Sequence, residues 1–383
     1  MQNSTSSNAT NIINATNTAQ SVDLIIESSA QSGIKSHIKS NTESKPIIHI
    51  EHIYKYYGEL VALENISFEV KPHCIFGIIG ADGAGKSTLF RILSTLMLPD
   101  SVDSIPRAKH GKNAAPRTHA AQHAKSTNAT QHTQDTHAKG SIAGFDLVQE
   151  YRQIRQIIGY MPAVFSLYAD LSVKENLTFF ADIFQVSIEE NYALIKPIFS
   201  ALEPFLDRRA GALSGGMKQK LALCCALIHK PKILFLDEPT TGVDMVSRAE
   251  FWEILGELKK QMTILVSTPY MDEANLCDEI ALLANGKILS IDTPQNICAS
   301  YPHRLFKLSG IDEHLLFTTL EGLRSMEGVH SCFLFAKDFH IVFKTANIAQ
   351  QLDSLKRKYA ANKGVSITEI KPSIEDCFIE FLR

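Results

Sequence analysis

Several features that would assign this chain to a membrane, secreted or nucleic-acid-binding class are missing. No uninterrupted apolar stretch approaches the roughly 18–20 residues that a membrane-spanning helix needs. The first residues have neither a basic start nor an apolar core, so we expect no secretory signal. The net charge is only −3, which gives no electrostatic reason to expect a nucleic-acid partner. We therefore expect a soluble chain that meets a membrane only through a partner.

Cysteine is also scarce and unpatterned. The chain has seven cysteines, an odd number, with no Cys-x-x-Cys pair, which is typical of a reduced cytosolic protein. Cys224 and Cys225 lie on a predicted apolar helix and are expected in its core. Apolar residues, by contrast, make up 45% of the 383 residues, which permits a sizeable core and more than one domain.

The most informative segment is a glycine-rich loop that fits the phosphate-loop pattern, and it reads Gly80-Ala81-Asp82-Gly83-Ala84-Gly85-Lys86-Ser87-Thr88. It lies between an apolar run (Cys74–Ile79) and a helical pattern (Ser87–Met97), the strand–loop–helix context that such a loop requires. Its backbone N–H groups would wrap phosphates, Lys86 would reach the β and γ oxygens of ATP, and the Ser87 hydroxyl would bind Mg²⁺. A glycine-rich turn with a chance lysine is the alternative, and the context disfavours it.

The second motif is the acidic pair Asp237-Glu238. It follows a short apolar run, Ile233–Leu236, which is typical of a strand buried in a parallel sheet. Asp237 would stand at the end of this strand, where a carboxylate beside the phosphate loop can hold Mg²⁺. Glu238 is placed to orient or deprotonate an attacking water. An Asp-Glu pair that only caps the next segment is the alternative reading.

A third motif, Leu213-Ser214-Gly215-Gly216, opens an apolar helix predicted over Lys220–Ile228. A hydroxyl and two glycine amides at a helix N-terminus form an anion site. Because the phosphate loop already serves one nucleotide, a second anion site suggests head-to-tail pairing with another ATPase domain. With these motifs the sequence resembles the ATP-binding cassette (ABC) family, and more narrowly the ATPases that serve ABC-2-type export permeases. The spacings from Ser214 to Asp237 and from Asp237 to Pro269 are those of the family.

The resemblance implies further roles. Tyr57 matches the aromatic residue that stacks on adenine, although a tyrosine at a strand edge is the simpler reading. Asp244, in Gly242-Val243-Asp244, matches the acidic residue of a loop that crosses the dimer interface. The segment Tyr168–Val173 resembles the one that lines the groove for the membrane partner, and its apolar character would equally suit a core.

Two polar positions of the family pattern are absent. Ala163 stands where a glutamine contacts Mg²⁺, and Pro269 stands where a histidine contacts the γ-phosphate. Neither side chain can donate a hydrogen bond, so we expect slow hydrolysis in this chain's own site. Glu238 could instead suffice by itself. Asp82 is a milder departure, since asparagine is usual there.

The predicted organisation has four parts. Residues 1–45 form a disordered polar tail, 46–300 the nucleotide-binding domain, 101–139 a low-complexity insertion within it, and 301–383 a small C-terminal domain. The insertion carries irregularly spaced histidines, which favour a solvated loop over a metal site, at His110, His119, His123, His132 and His137. The C-terminal region reads β-α-β-β-α-β, a ferredoxin-like order, with Lys337-Asp338 as a turn and a last helix capped by Ser373.

The predicted fold is therefore an α/β phosphate-loop NTPase, with a mixed central sheet, an antiparallel part, a helical subdomain and the C-terminal α+β unit. The resemblance implies the cofactors ATP and Mg²⁺, permease partners of the ABC-2 type, and a second cassette in a homodimer or heterodimer. It also implies a cytoplasmic location on the inner face of the membrane. The alternatives are a regulatory subunit that binds nucleotide without significant turnover and a soluble ABC ATPase outside transport.

Overall fold

The computed structural model describes residues 45–101, 139–344, 348–359 and 364–383. The predicted polar tail and the histidine-containing insertion lie outside the described residues, apart from their last or flanking positions. The predicted boundaries of these segments therefore stay predictions. Among the described residues, no helix combines the length and the apolar character needed to cross a bilayer.

Strands and helices are numbered in chain order. The strands are β1 (Ile48–Tyr57), β2 (Leu60–Val70), β3 (Ile75–Ile79), β4 (Lys139–Ile142), β5 (Phe145–Asp146), β6 (Ile158–Met161), β7 (Ile233–Asp237), β8 (Thr263–Thr268), β9 (Glu279–Ala284), β10 (Lys287–Asp292), β11 (Leu305–Ser309), β12 (Val329–Phe335), β13 (Asp338–Phe343) and β14 (Ser366–Ile370). The α-helices are α1 (Lys86–Leu93), α2 (Tyr151–Ile157), α3 (Val173–Phe184), α4 (Ile188–Phe199), α5 (Gly215–Leu227), α6 (Met245–Leu258), α7 (Pro294–Ala299), α8 (Leu316–Arg324), α9 (Ile348–Tyr359) and α10 (Ile374–Phe381). Short 3-10 helices include Met271–Leu276 and Glu313–Leu315.

The main sheet has the strand order β10-β9-β3-β8-β7-β6 and is parallel except at β10. Every residue of β3, β7 and β8 is buried, as expected for strands that are covered on both faces. The carboxyl ends of β3, β8, β7 and β6 therefore meet at one edge of this sheet. This edge carries the phosphate loop and the acidic motif.

A second, antiparallel sheet has the order β2-β1-β4-β5, and helices α3, α4 and α5 form a layer on the main apolar cluster. The predicted mixed α/β class with an antiparallel part and a helical region is thus confirmed. Cys224 and Cys225 are buried on α5, as predicted.

Some element bounds were predicted wrongly. The first helix ends at Leu93 rather than Met97, because Thr95 adopts a φ of 61° and the amides of Leu96 and Met97 both turn back to the Arg91 carbonyl. The helix after the third motif begins at Gly215 rather than Lys220, since Ser214 already caps it.

The C-terminal sheet has the order β12-β13-β11-β14, with every neighbouring pair antiparallel. Together with α8 and α9 this gives the predicted β-α-β-β-α-β order. The hairpin turn lies at Ala336 and Lys337, not at Lys337 and Asp338, because Asp338 pairs with Phe335 and Ala336 has a φ of 53°. For the second helix of this unit the sequence predicts the range Ile348–Lys363, and the part beyond Tyr359 lies outside the described residues. Ser373 caps α10 in a capping box with Asp376.

The last helix joins the C-terminal sheet to the rest of the fold. Ile374, Cys377 and Phe378 of α10 belong to the main apolar cluster rather than to that of the C-terminal sheet. On its other side, Asp376 accepts a hydrogen bond from the His340 ring of β13 at 2.7 Å. α10 therefore contacts both the C-terminal sheet and the main core.

Candidate functional site

The loop between β3 and α1 has the tight geometry that its glycines permit. Gly85 has a φ of 109°, and a β-carbon there would come within 2.6 Å of the Ala62 carbonyl oxygen. A β-carbon on Gly80 would come within 2.2 Å of the Leu283 carbonyl oxygen. These glycines are thus required by packing against β2 and β9, in addition to any need for backbone to approach a ligand.

Lys86 is the first residue of α1, and its side chain is only 3% exposed. Its Nζ donates to the carbonyl oxygens of Gly80 at 2.9 Å and Ala81 at 3.2 Å, and it pairs with Glu238 Oε1 at 3.1 Å. Asp82, which is 89% exposed, lies 3.9 Å from the same ammonium group. The loop thus curls around a buried cation, which is the arrangement that receives phosphate oxygens.

Asp237 ends β7 and is buried beside two hydroxyl groups. Ser267 donates to its Oδ1 at 2.6 Å and Ser87 donates to the same oxygen at 3.2 Å. Burial raises the pKa of Asp237, and these two hydrogen bonds lower it in part. The hydroxyl of Ser87 and the carboxylate of Asp237 are the oxygen donors that Mg²⁺ prefers, so the residues present fit this ion.

Glu238 follows β7 in a left-handed conformation, with a φ of 50°. Its amide is held by Ser267, to whose backbone and side-chain oxygens it donates at 3.0 Å each. Its side chain is 18% exposed and turns toward Lys86. A carboxylate held in this way at the mouth of the phosphate loop is suited to orient a water molecule.

Lys86, Ser87 and Glu238 line one cavity of about 380 Å³, whereas Asp237 is buried next to Ser87 and does not line it. The predicted residues Tyr57, Gly83, Lys86, Ser87 and Glu238 line it. Tyr57 lies at the rim, 43% exposed, with its hydroxyl donating to Met97 Sδ at 3.2 Å. The sequence interpretation missed Leu60, Val61, Ala62 and Asn285, which also line the cavity. Of these four residues only Asn285 has a signal in the sequence, because the Asn285-Gly286 pair predicts a turn, but a turn does not indicate a binding residue.

The third motif lies outside this cavity. Ser214 is exposed and caps α5, where its Oγ accepts from the Met217 amide at 3.3 Å. A β-carbon on Gly216 would come within 2.7 Å of Ser247 Oγ, so glycine allows α5 to approach α6 closely. Asp244 caps α6, where its carboxylate accepts a hydrogen bond from the Ser247 amide, and this bond lowers the pKa of the Asp244 carboxyl. Within one chain, Ser214 and its glycines are therefore not brought to Lys86.

Ala163 and Pro269 flank the acidic motif. Ala163 follows β6 and Pro269 follows β8, the two strands that lie on either side of β7. Ala163 and Pro269 thus follow the two strands next to the one that ends in Asp237, and neither side chain carries a polar group. The ring of nearby Tyr270 is covered by the Arg248 guanidinium at 4.3 Å and does not replace the missing group.

A buried carboxylate that the sequence interpretation missed connects these strand ends. Glu273 is 2% exposed and accepts from Thr240 at 2.7 Å, from Thr268 at 2.5 Å and from Arg248 at 2.9 Å. Thr240 follows the acidic motif, and Thr268 precedes Pro269. Glu273 therefore links the ends of β7 and β8 to α6.

A second cavity of about 380 Å³ lies between the main sheet and the helical layer. Its lining is largely apolar and includes Leu96, Tyr160, Phe180, Phe184 and His229. Ile183, which is 56% exposed, also lines this cavity, and Val164, which is 79% exposed, lies two residues after the lining residue Pro162.

The segment Tyr168–Val173 is fixed by one buried side chain. Asn176 accepts from the Tyr168 amide at 3.0 Å, and its Nδ2 donates to the carbonyls of Tyr168 and Ser172 at 3.0 Å each. Val173 is fully buried, whereas Tyr168 is 50% exposed. The segment is thus core at one end and accessible surface at the other.

Comparison with known proteins places this geometry in context. The family model described as "ABC transporter" matches residues 63–241. The "Probable multidrug ABC transporter ATP-binding protein YbhF" of Escherichia coli strain K12 is 33% identical over 69% of this chain, which spans 40% of that relative's length. The "Nod factor export ATP-binding protein I" of Burkholderia lata is 31% identical over 66% of this chain and 73% of its own. A solved "ATP binding subunit of ABC transporter" matches with a TM-score of 0.53 at 25% identity, covering 67% of this chain and 93% of that one.

Proposed function

Because this chain belongs to the ATP-binding family of ABC transporters, whose cassettes are ATPases, we propose that it is the ATP-binding subunit of an ABC-2-type exporter. It binds MgATP between two cassettes and couples hydrolysis to transport by separate membrane subunits at the cytoplasmic face. The observation that carries this proposal is the convergence of Lys86, Ser87, Asp237 and Glu238 at one edge of the main sheet.

Each of these residues has a distinct task in the proposed reaction. Lys86 neutralises the β- and γ-phosphate oxygens, a role for which its buried ammonium is already positioned. Ser87 and Asp237 hold Mg²⁺, which supplies charge neutralisation to the phosphates when bound. Glu238 orients and deprotonates the attacking water, and Tyr57 at the cavity rim stacks on the adenine.

The exposed motif Ser214-Gly215-Gly216 serves the nucleotide of an opposing cassette. Its position at the N-terminus of the thirteen-residue helix α5 provides free amides and the positive end of a helix dipole. Because Ser214 lies outside the cavity of its own chain, a complete site needs a second cassette. That partner is another copy of this chain or a related subunit.

The apolar cavity beside Tyr168 is the proposed docking site for the permease. The groove is lined by Leu96 and Ile183, and exposed Val164 lies two residues after its lining residue Pro162; together they offer an apolar surface that a short amphipathic helix would cover. Substitution of Ile183 and Val164 by glutamate should abolish co-purification with the permease while leaving ATP binding by the isolated subunit unchanged. Retained co-purification would place the permease elsewhere.

Slow turnover is part of the proposal. Removing one preorganised polar contact from a transition state costs about 3–4 kcal/mol, or ~10²–10³ in rate. Ala163 and Pro269 lack two such contacts beside Asp237 and Glu238. The same observation favours the second candidate, a regulatory subunit that binds nucleotide without significant turnover.

The deciding experiment measures steady-state ATP hydrolysis and ATP-dependent pairing on the purified chain, with Glu238→Gln as the control for background. Slow hydrolysis above that background, together with pairing seen by light scattering, supports the exporter subunit. Pairing with no hydrolysis above background supports the regulatory candidate. Absence of pairing, alone or with a related cassette, would refute both, and brisk hydrolysis by the isolated homodimer would refute the slow-site hypothesis.

A further inference from the structure

Three side chains that can bind metals meet in the C-terminal region, away from the nucleotide cavity. His303 precedes β11, His330 lies in β12 and Glu380 lies in α10. One ligand atom of each lies within 4.8 Å of the others. We propose that His303, His330 and Glu380 form a binding site for a divalent transition-metal ion, with Zn²⁺ as the cation that fits best.

The spacing of two ligands already suits a tetrahedral ion. His303 Nε2 lies 3.4 Å from Glu380 Oε1. A tetrahedral Zn²⁺ with bonds of about 2.0–2.1 Å holds its ligand atoms about 3.4 Å apart. His330 is exposed, and its ring centroid lies 5.1 Å from that of His303, so a rotation of its side chain brings the third ligand into place.

The donor set selects the class of ion. Two imidazole nitrogens and one carboxylate oxygen are the ligands of three-residue zinc sites, with water in the fourth position. Mg²⁺ and Ca²⁺ prefer sets made of oxygen alone, so the ion that serves the nucleotide is not expected here. The proposed site is therefore chemically distinct from that of Ser87 and Asp237.

The surroundings hold the carboxylate in position. Arg383 Nη1 lies 3.5 Å from Glu380 Oε2, the oxygen that does not face His303, and Arg383 Nη2 donates to the His330 carbonyl at 3.4 Å. The guanidinium lowers the affinity for a cation by repulsion, and it orients Oε1 toward the two histidines. The ring of Tyr301 meets that of His303 edge to face at 5.8 Å.

A bound ion would fasten β12 to α10. The helix is anchored in the main core, where the Cys377 thiol contacts the Ile297 carbonyl at 3.6 Å. His330 comes from the edge strand of the C-terminal sheet. The ion would therefore join this sheet to a helix that already belongs to the main core, and it should raise the melting temperature of the protein.

The test uses the full chain, and the insertion 101–139 with its histidines is the same in every variant, so any metal that it binds cancels in the comparison. Zn²⁺ binding is measured by calorimetry, and Co²⁺ is used as a probe because a tetrahedral site gives it intense visible absorption. The variants are the double His303→Asn/His330→Asn, the single Glu380→Gln, and the matched control His314→Asn at an exposed histidine outside the cluster.

The expected result is the loss of one equivalent of Zn²⁺ and of the tetrahedral Co²⁺ spectrum in the double variant, with both retained in His314→Asn. Glu380→Gln should weaken binding at the same site and keep the fold, as judged by its metal-free melting temperature. If the double variant keeps the stoichiometry and spectrum of the native protein, or the native protein binds neither ion, the proposal is wrong.

Discussion

Lys86 and Glu238 form an ion pair across the mouth of the phosphate loop, with Nζ and Oε1 3.1 Å apart. The carboxylate therefore occupies a place on the ammonium that phosphate oxygens would take when ATP binds. The pair gives the buried ammonium group, which is 3% exposed, a charged partner in addition to the Gly80 and Ala81 carbonyls. In the proposed reaction the phosphate oxygens would replace Glu238 as the partner of Lys86, which would free the carboxylate to orient water.

Glu238→Gln should accordingly separate binding from hydrolysis. Removal of the negative charge frees Lys86 and ends the repulsion between the Glu238 carboxylate and the phosphates, so ATP should bind roughly tenfold more tightly. Loss of the general base should lower kcat by about 10²–10⁴. Equilibrium binding of a fluorescent ATP analogue and a phosphate-release assay measure the two effects. Lys86→Ala is the control, since it should weaken binding in both backgrounds; equal or weaker binding by Glu238→Gln would contradict the competition.

Restoring the absent polar groups should accelerate hydrolysis. Ala163→Gln and Pro269→His place donors on both sides of the acidic motif, and we expect the double variant to raise kcat by roughly tenfold or more. Ala163→Leu and Pro269→Ala change size or backbone freedom without adding a donor, and serve as matched controls. Unchanged turnover in the double variant would mean that Glu238 suffices by itself.

The phosphate loop, the acidic motif and the third motif could be predicted because each is a contiguous run whose spacing carries its chemistry. Lys86, Ser87, Asp237 and Glu238 lie together because β3, which leads into the phosphate loop and α1, and β7, which leads into the acidic motif, are parallel and end at the same edge of the main sheet. Glu273 gave no such signal, because its partners Thr240, Thr268 and Arg248 are distant or unremarkable in sequence. His303, His330 and Glu380 were invisible for the same reason: only the packing of α10 against the C-terminal sheet brings them together.

Two of the bounds that were wrong share a local cause. Thr95 and Ala336 adopt positive φ values although neither is a glycine, so the sequence does not indicate these turns. The end of α1 and the position of the last hairpin turn were therefore misplaced. Both residues lack the conformational freedom that marks such turns in a sequence.

The buried carboxylate of Asp237 should lower the stability of the folded protein at neutral pH, although the proposed function requires it. Burial raises its folded pKa above the ordinary value of 3.8, so the folded state binds more protons than the unfolded chain between the two values. Stability is therefore lost as pH rises through this window, and the loss persists above it. Asp237→Asn keeps an oxygen that accepts from Ser267 and Ser87 but does not ionise, so it should be more stable than the native protein at pH 7.

Urea unfolding of both proteins at pH 7 and at a pH below 3.8 measures this difference, which should vanish at the lower pH because both side chains are then neutral. The other titrating groups are common to the two proteins, so the difference reports on the Asp237 carboxyl and its interactions with Glu238 and Lys86. Magnesium-dependent hydrolysis should be lost in the variant. A variant that is less stable at pH 7 than the native protein would show that the charged carboxylate stabilises the fold.

Glu273 should matter more for stability than its exposed neighbour. Glu273→Ala leaves the buried hydroxyls of Thr240 and Thr268 and the Arg248 guanidinium without their shared acceptor, so we expect a loss of about 3–5 kcal/mol in the free energy of unfolding. Asp272 pairs with the same arginine at 3.4 Å but is 77% exposed, and Asp272→Ala should cost less than about 1 kcal/mol. Urea denaturation of both variants tests this ranking. We expect Glu273→Gln to recover most of the stability. Because Thr240 and Thr268 adjoin the strand ends that carry Glu238 and Pro269, this variant should also keep the residual hydrolysis. If the two alanine variants lose equal amounts of unfolding free energy, Glu273 does not link β7 and β8 to α6.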